Sequence, residues 1–302
     1  MSGLPNLIIA GVEKAGTTSL FWYLSQHPEI YASHLKEINY FFPRKRDGGL
    51  EPITEYAKHY AHHRGEPYRL EASPSYWYGG PAVIAAIQQT LGRPRIVISL
   101  REPASRFWSA YTFLVSMGRL DRTLAVDEYL AQCEDVERQQ RGWPERARHT
   151  PLSIGLYYDY LLPWLDAFGR ELKVVFAESL LSQPQAVVSD LCGWLEIDGA
   201  VADRLDYRPR NETIRPRSYA VAKAADAGRR RLNRWLWRSP AMRRALRTAY
   251  RAVNSGGKAE TLEPRVREQL EAFYSRSNTL LAAELIGRGY TELPPWLSGE
   301  VR

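Results

Sequence analysis

Short apolar runs alternate along this chain with stretches whose apolar residues recur at helical spacing. Leu7–Ala10 is an apolar run closed by Gly11, the pattern of a buried parallel strand. From Thr17 onward, Leu20, Tyr23 and Leu24 fall at helical spacing, and His27-Pro28 ends that helix. Residues 68–80, YRLEASPSYWYGG, read as a strand end followed by a loop. A helix over 81–92 is framed by Pro81 at its start and Gly92 at its stop. RIVISLREP (95–103) is the clearest buried strand, and Pro103 opens a helix reaching to about Met117. Helices are also predicted over 126–141, over 153–168 with a kink at Pro163, and over 184–195. A strand at 172–180 precedes the last of these, and 264–285 is a final amphipathic helix. The Pro- and Arg-rich stretch 206–220 reads as a long loop. Strands alternating with helices predict an α/β fold with a central parallel β-sheet flanked by helices in three layers. No internal repeat is visible, and 1–302 is expected to form one domain.

Charge sharpens this picture at one segment. The chain carries a formal +7, but residues 228–258 hold nine arginines and Lys258 with no acid, which leaves the remainder at −3. The basic character therefore belongs to a helical excursion around 229–251, and a chain-wide nucleic-acid-coating surface is not supported. That segment is read as a solvated face with Trp235, Leu236 and Trp237 packed inward. Two other uses are steering of an acidic glycan and peripheral contact with an anionic membrane surface. Cys133 and Cys192 stand far apart, which argues against a disulfide framework or a zinc site and fits a reducing compartment. No apolar run approaches the roughly 20 residues that span a bilayer, and the N-terminus reaches Glu13 too early for a signal peptide. A soluble, cytoplasmic protein is the expectation.

Candidate chemistry begins at AGVEKAGTTSLFWYL (10–24). Gly11 and Gly16 keep the glycine spacing of a nucleotide-binding loop, yet Thr17 rather than lysine follows Gly16, and Lys14 sits two residues before it. Backbone N–H groups of Gly16, Thr17, Thr18 and Ser19 at a helix N-terminus suit an anion, with threonine hydroxyls and the Lys14 charge beside them. The alternative is an ordinary strand–turn–helix with a capping threonine. A second element is RIVISLREPASRFWSAY, in which Arg101 ends a buried strand, where ligands of open α/β sheets bind. Ser105 and Ser109 share a face of the following helix, so Ser109 is placed to share an anion with Arg101. Its alternative is a capping arginine and a solvent-facing serine. A third is HLKEINYFF (34–42), where Glu37 beside aromatic bulk is a candidate general base or, alternatively, a surface glutamate.

These elements, in this order and spacing, resemble the sulfotransferases that use 3′-phosphoadenosine 5′-phosphosulfate. They are most similar to the branch of the heparan sulfate N- and 3-O-sulfotransferase domains and their small bacterial relatives. GVEKAGTTSL resembles the family's 5′-phosphosulfate loop, covering Lys14, Ala15, Gly16, Thr17, Thr18 and Ser19. ISLREPASRFWSAY resembles its 3′-phosphate motif, matched at Arg101 and Ser109, and KEINYFF the stretch that carries its catalytic glutamate, matched at Glu37. Tyr157 matches a tyrosine near the nucleotide, and NETIRPRS (211–218), with Arg217, resembles the late loop that closes over it. The likeness runs over 4–220 and 264–297. It departs at EASPSY, where Ala72 stands in place of an active-site lysine.

The resemblance implies a P-loop-like fold and in-line sulfuryl transfer to a hydroxyl or amine of a carbohydrate, lipid or natural-product acceptor. Adenosine 3′,5′-bisphosphate would be the product. Glu37 would take the acceptor proton and Lys14 would meet the departing oxygen. The transferred group carries less charge than a phosphoryl group, so no metal is required. His34 is a rival base, and His59, His62 and His63 form a tempting metal-like cluster that reads better as a solvated helix end. The aromatic stretch 73–80 is a candidate acceptor lining. Two rival functions remain: a P-loop small-molecule kinase, and a non-enzymatic module binding anionic glycans or membranes through 229–251.

Overall fold

A computed structural model describes residues 3–42, 49–139, 150–208, 221 and 261–299. The chain divides into two compact units, one of Met1–Glu102, Leu156–Asn211 and Ser275–Arg302, the other of Pro103–Gly155 and Glu212–Tyr274. The strands are β1 (Leu7–Gly11), β2 (Ile30–Ala32), β3 (Tyr68–Ala72), β4 (Arg95–Leu100) and β5 (Leu172–Phe176). The helices are α1 (Thr17–Leu24), α2 (Ile53–Ala57), α3 (Gly80–Leu91), α4 (Pro103–Ser116) and α5 (Val126–Arg138). They continue with α6 (Tyr157–Phe168), α7 (Ala177–Ser182), α8 (Pro184–Leu195), α9 (Pro264–Gly287) and α10 (Pro295–Ser298).

All five strands lie in the first unit, in the order β2-β3-β1-β4-β5, and every pairing is parallel. Parallel sheets bury both faces, and β1 is buried at every position. Side chains alternate across the pleat. Leu7, Ile9, Leu70, Ala72, Val97 and Val175 pack on one face against Leu20 and Leu24 of α1 and Val188, Leu191 and Leu195 of α8. Ile8, Ile96 and Ile98 are buried on the other face; α6 packs on β5 and on α3, and Ile84, Ile87, Leu161 and Trp164 of these two helices are buried. Each such side chain contributes roughly 1.5–3 kcal/mol on burial. The three-layer α/β architecture is thus the one the alternating pattern predicts.

The strand order sets where a ligand binds. The chain leaves β1 toward β3 and β2, and leaves β4 toward β5. Adjacent strands whose continuations diverge open a crevice at their carboxyl ends. The turn carrying Lys14 and the residue Arg101 stand at those two ends.

In the second unit, α4 and α5 pack through the Phe107 and Tyr129 rings, 5.6 Å apart. The buried Arg106 guanidinium donates to the Pro151 carbonyl, and the Tyr274 hydroxyl donates to the Leu152 carbonyl at 2.8 Å.

The structure departs from the sequence reading in three places. The strand predicted at 172–180 ends at Phe176, because Ala177–Ser182 forms α7. That segment, AESLLS, has no β-branched residue and is rich in good helix formers. The helix predicted from 153 begins at Tyr157, after a separate 3₁₀ turn at Ser153–Gly155, and contains Pro163. Strand β2 and helix α2, of three and five residues, are too short to leave a periodic signal. Arg217, the late loop 211–218 and the basic excursion 229–251 lie outside the described residues. Among the described residues no helix is long and apolar enough to cross a membrane.

Candidate active site

The turn between β1 and α1 is built on its two glycines for different reasons. At Gly11 a Cβ would lie 2.9 Å from Trp77 Cβ, so only glycine lets the buried indole pack against the end of β1. Gly16 caps α1 with φ 79°, a left-handed conformation that favours glycine, and a Cβ there would meet Leu180 at 3.0 Å. No side chain caps α1 and no acid stands in its first turn. The N–H groups of a helix's first turn point along its axis and carry its positive end, so this end of α1, at Thr17–Ser19, suits an anion. Ser99 of β4 donates to the Ala15 carbonyl at 2.5 Å, and the Val12 N–H donates to the Ser99 carbonyl at 2.9 Å. The turn is thereby sewn to the neighbouring strand.

Lys14 has φ 70°, an uncommon conformation for a residue with a Cβ. Burial lowers its ammonium pKa to about 8; Arg101 and Lys36 push the same way, while Glu13 and Glu37 oppose them. Such a cation is costly to hold without an anion. Arg101 Nη1 donates to the Lys14 carbonyl at 3.1 Å. The Tyr157 hydroxyl, fully buried, donates to the Arg101 carbonyl at 2.8 Å. Tyr157 therefore reaches this site through the backbone of Arg101.

Glu37 lies in the segment after β2. Its N–H donates to the Ala72 carbonyl at 2.9 Å, which ties it to the end of β3. Its φ is 65° and that of Asn39 is 55°. Asn39 Nδ2 donates to the Glu37 carbonyl at 2.7 Å and closes this turn. The Glu37 side chain is 54% exposed and its Oε1 takes the Lys36 ammonium at 2.8 Å. Lys14, Glu37 and Asn39 are three of the four non-glycine residues with positive φ among the described residues. Such conformations persist only where surroundings over-determine them, and they gather at functional sites.

The other candidates fall as follows. Lys14, Ala15, Gly16, Thr17, Thr18, Ser19, Glu37, Arg101 and Tyr157 all belong to the first unit. Ser109 belongs to the second, where it is half-buried on α4. His34 is exposed and stacks on His59, ring centroids 4.9 Å apart. Burial and the neighbouring His34 lower the His59 pKa. Among the described residues no group of three metal-ligating side chains converges. In the stretch proposed to line an acceptor site, Pro74, Tyr76 and Trp77 are instead buried. Trp77 packs between Gly11, Tyr157 and Tyr160. Tyr78 stays half-buried, edge-on to Phe42 at 5.6 Å. Sequence reasoning missed Lys36 and a buried carboxylate, Glu71, beside Ala72.

Residues 4–277 match the family model described as a sulfotransferase domain. The chain is 36% identical over 284 residues to the membrane-associated sulfotransferase kil1 of Dictyostelium discoideum, covering 69% of this chain and 59% of that protein. It is 26% identical over 214 residues to human heparan sulfate glucosamine 3-O-sulfotransferase 3B1, covering 68% of this chain and 49% of that protein. The chain thus spans about half the length of these curated relatives. A crystal structure of a sulfotransferase from Alicyclobacillus acidocaldarius superposes with a TM-score of 0.68 at 27% identity, covering 97% of this chain and 98% of the other.

Proposed function

We propose, on the premise that this chain belongs to the sulfotransferase domain family, that it moves a sulfuryl group from 3′-phosphoadenosine 5′-phosphosulfate to an acceptor hydroxyl or amine. The observation that carries this reading is the junction of Arg101 and Lys14 at the carboxyl ends of β4 and β1. Two cations tied to one crevice, one inside a glycine turn at a helix N-terminus, fit a ligand with two separate anionic groups. The donor supplies an activated sulfuryl group on its 5′-phosphate and a 3′-phosphate that ATP lacks.

The chain's own residues divide the work. The first-turn amides of α1, with Thr17 and Thr18, hold the 5′-phosphate, and Arg101 reads the 3′-phosphate. Glu37 accepts the acceptor proton while the new bond to sulfur forms. The bond from sulfur to the bridging oxygen breaks, and its electron pair stays on that oxygen, where the Lys14 ammonium stabilises it. The exposure of the Glu37 carboxylate supports this, because an acceptor can reach it.

The acceptor we propose is a hydroxyl or amine of a carbohydrate, lipid or natural product. The support is the named substrate of the human relative, heparan sulfate glucosamine, and the Phe42–Tyr78 ring pair, whose faces suit sugars and apolar scaffolds alike. A cytoplasmic location belongs to the same reading, supported by Cys133 and Cys192, which are buried free thiols and not a disulfide. Calorimetry tests the proposal: adenosine 3′,5′-bisphosphate should bind without magnesium and more tightly than magnesium–ATP. The reverse preference would favour a kinase. A screen with labelled sulfate donor then identifies the acceptor.

A further inference from the structure

Glu71 is fully buried at the carboxyl end of β3, and the reaction outlined above gives it no part. A buried carboxylate is expensive unless hydrogen-bonded. Three hydroxyls donate to this one: Ser73 and Tyr76 to Oε1, each at 2.7 Å, and Tyr56 to Oε2. Burial pushes the Glu71 pKa up, and the three hydroxyls hold it down against that. A hydroxyl has one proton and two lone pairs. Ser73 and Tyr76 spend their protons on Glu71, so only their lone pairs remain for other groups. Those lone pairs take backbone N–H groups: Asn39 N–H donates to Ser73 Oγ at 2.9 Å and Phe41 N–H to Tyr76 Oη at 3.3 Å.

These two amides belong to the turn that presents Glu37. The turn holds two non-glycine residues at positive φ, Glu37 and Asn39, a backbone region that residues with a Cβ adopt sparingly. Asn39 adds two further ties, through Nδ2 to the Glu37 carbonyl and through Oδ1 from the Ser75 hydroxyl. The buried carboxyl oxygen orients two hydroxyls, the hydroxyls fix two amides, and the amides fix the strained turn.

We propose that Glu71 is a positioning residue for Glu37, acting through Ser73 and Tyr76 as acceptors for the Asn39 and Phe41 amides. This rests on the reading of Glu37 as the base. It also gives EASPSY (71–76) a meaning beyond its missing lysine, since Glu71, Ser73 and Tyr76 are the three members of the relay within that motif.

The test uses Ser73→Ala and Tyr76→Phe in the full chain, since a Glu71 substitution leaves three buried hydroxyls to rearrange and can prevent folding. Hydrogen exchange is measured on peptides covering 37–42 and, as control, β1 and β4. Each variant should speed exchange of the turn amides at least tenfold while the strand peptides stay protected. With donor and acceptor, each should lower kcat about tenfold, with the affinity for adenosine 3′,5′-bisphosphate within twofold of wild type. In a Glu37→Gln background, Tyr76→Phe should lower kcat no further, because the group it positions is gone. Unchanged exchange at 37–42 overturns the relay whatever the activity. Faster exchange with unchanged kcat, or a kcat loss that repeats in full on Glu37→Gln, overturns its catalytic purpose. A Glu37→Gln chain with normal turnover fails the base assignment instead, and the exchange arm still decides the relay.

Discussion

The guanidinium of Arg101 donates to the backbone carbonyl of Lys14 across 3.1 Å. On the proposed reading, the residue that reads one end of the donor also steadies the turn that receives the other. Arg101→Ala should therefore weaken adenosine 3′,5′-bisphosphate binding by about 10- to 100-fold, the scale of a charged hydrogen bond. Arg101→Lys should recover only part of it, because an ammonium lacks the planar fork. Calorimetry on folded protein reads both. Unchanged affinity in Arg101→Ala would remove Arg101 from the donor site.

Glu37→Gln keeps the shape of the side chain and removes its basicity. Turnover should fall about 10²- to 10⁴-fold, the range of general acid–base catalysis. Affinity for the bisphosphate should stay within twofold. A parallel loss of affinity would mean that the residue serves binding instead.

The free protein should bind the bisphosphate less tightly as pH rises through about 8. Lys14 loses its proton there, where an ordinary lysine holds it to 10.5. A bound anion favours the charged form, so binding takes up a proton above that pH, and affinity falls by at most about tenfold per pH unit. Binding at pH 7, 8 and 9 in buffers of differing ionisation enthalpy measures the uptake directly. A flat profile excludes Lys14 from contact with the anion.

The same depressed pKa makes Lys14 a burden on folding. The folded chain gives up this proton at about 8 and the unfolded chain at about 10.5. The unfolded state therefore binds more protons between those values, and stability rises with pH across that window. Lys14→Met should unfold at a higher temperature than wild type at pH 7. The gain should shrink as pH rises from 8 to 10.5, while turnover is lost throughout. A lower melting temperature at pH 7 contradicts the burden.

Gly16→Ala forces a Cβ into a left-handed residue 3.0 Å from Leu180. The backbone alone costs roughly 1–2 kcal/mol, and the melting temperature should drop by several degrees. Because the same φ aims the leading amides of α1, bisphosphate binding should fall by more than the stability loss explains. Thermal melts with and without ligand separate the two effects.

What could be read from the sequence follows how far each signal extends along the chain. The turn of Gly11–Thr17 is local, and its strand–turn–helix context was visible from residues 7–24 alone. Arg101 was visible because five buried positions precede it, Ile96–Leu100, all apolar except Ser99. Trp77 misled: an aromatic beside Tyr76 and Tyr78 looks like a ligand surface, yet it fills the space that Gly11 vacates. Glu71 was silent for a related reason. Between Leu70 and Ala72 it reads as the outward residue of a strand, and the tyrosines that satisfy it come from two separate segments, at 56 and 76. Polar burial of that kind depends on long-range convergence, which no periodicity records.

The position of β1 at the centre of the sheet bears on the chain's birth. Leu7 stands opposite Leu70 on one side and Arg95 on the other. A ribosome adding about 5–20 residues per second makes the first strand on the order of ten seconds before its second neighbour exists. Throughout that interval the apolar strand Leu7–Ala10 lacks at least one of its two neighbours, which makes it a target for chaperones and for aggregation. The glycine turn that follows is synthesised well before Ser99 and Arg101, so its bonds to them wait for the same later segment.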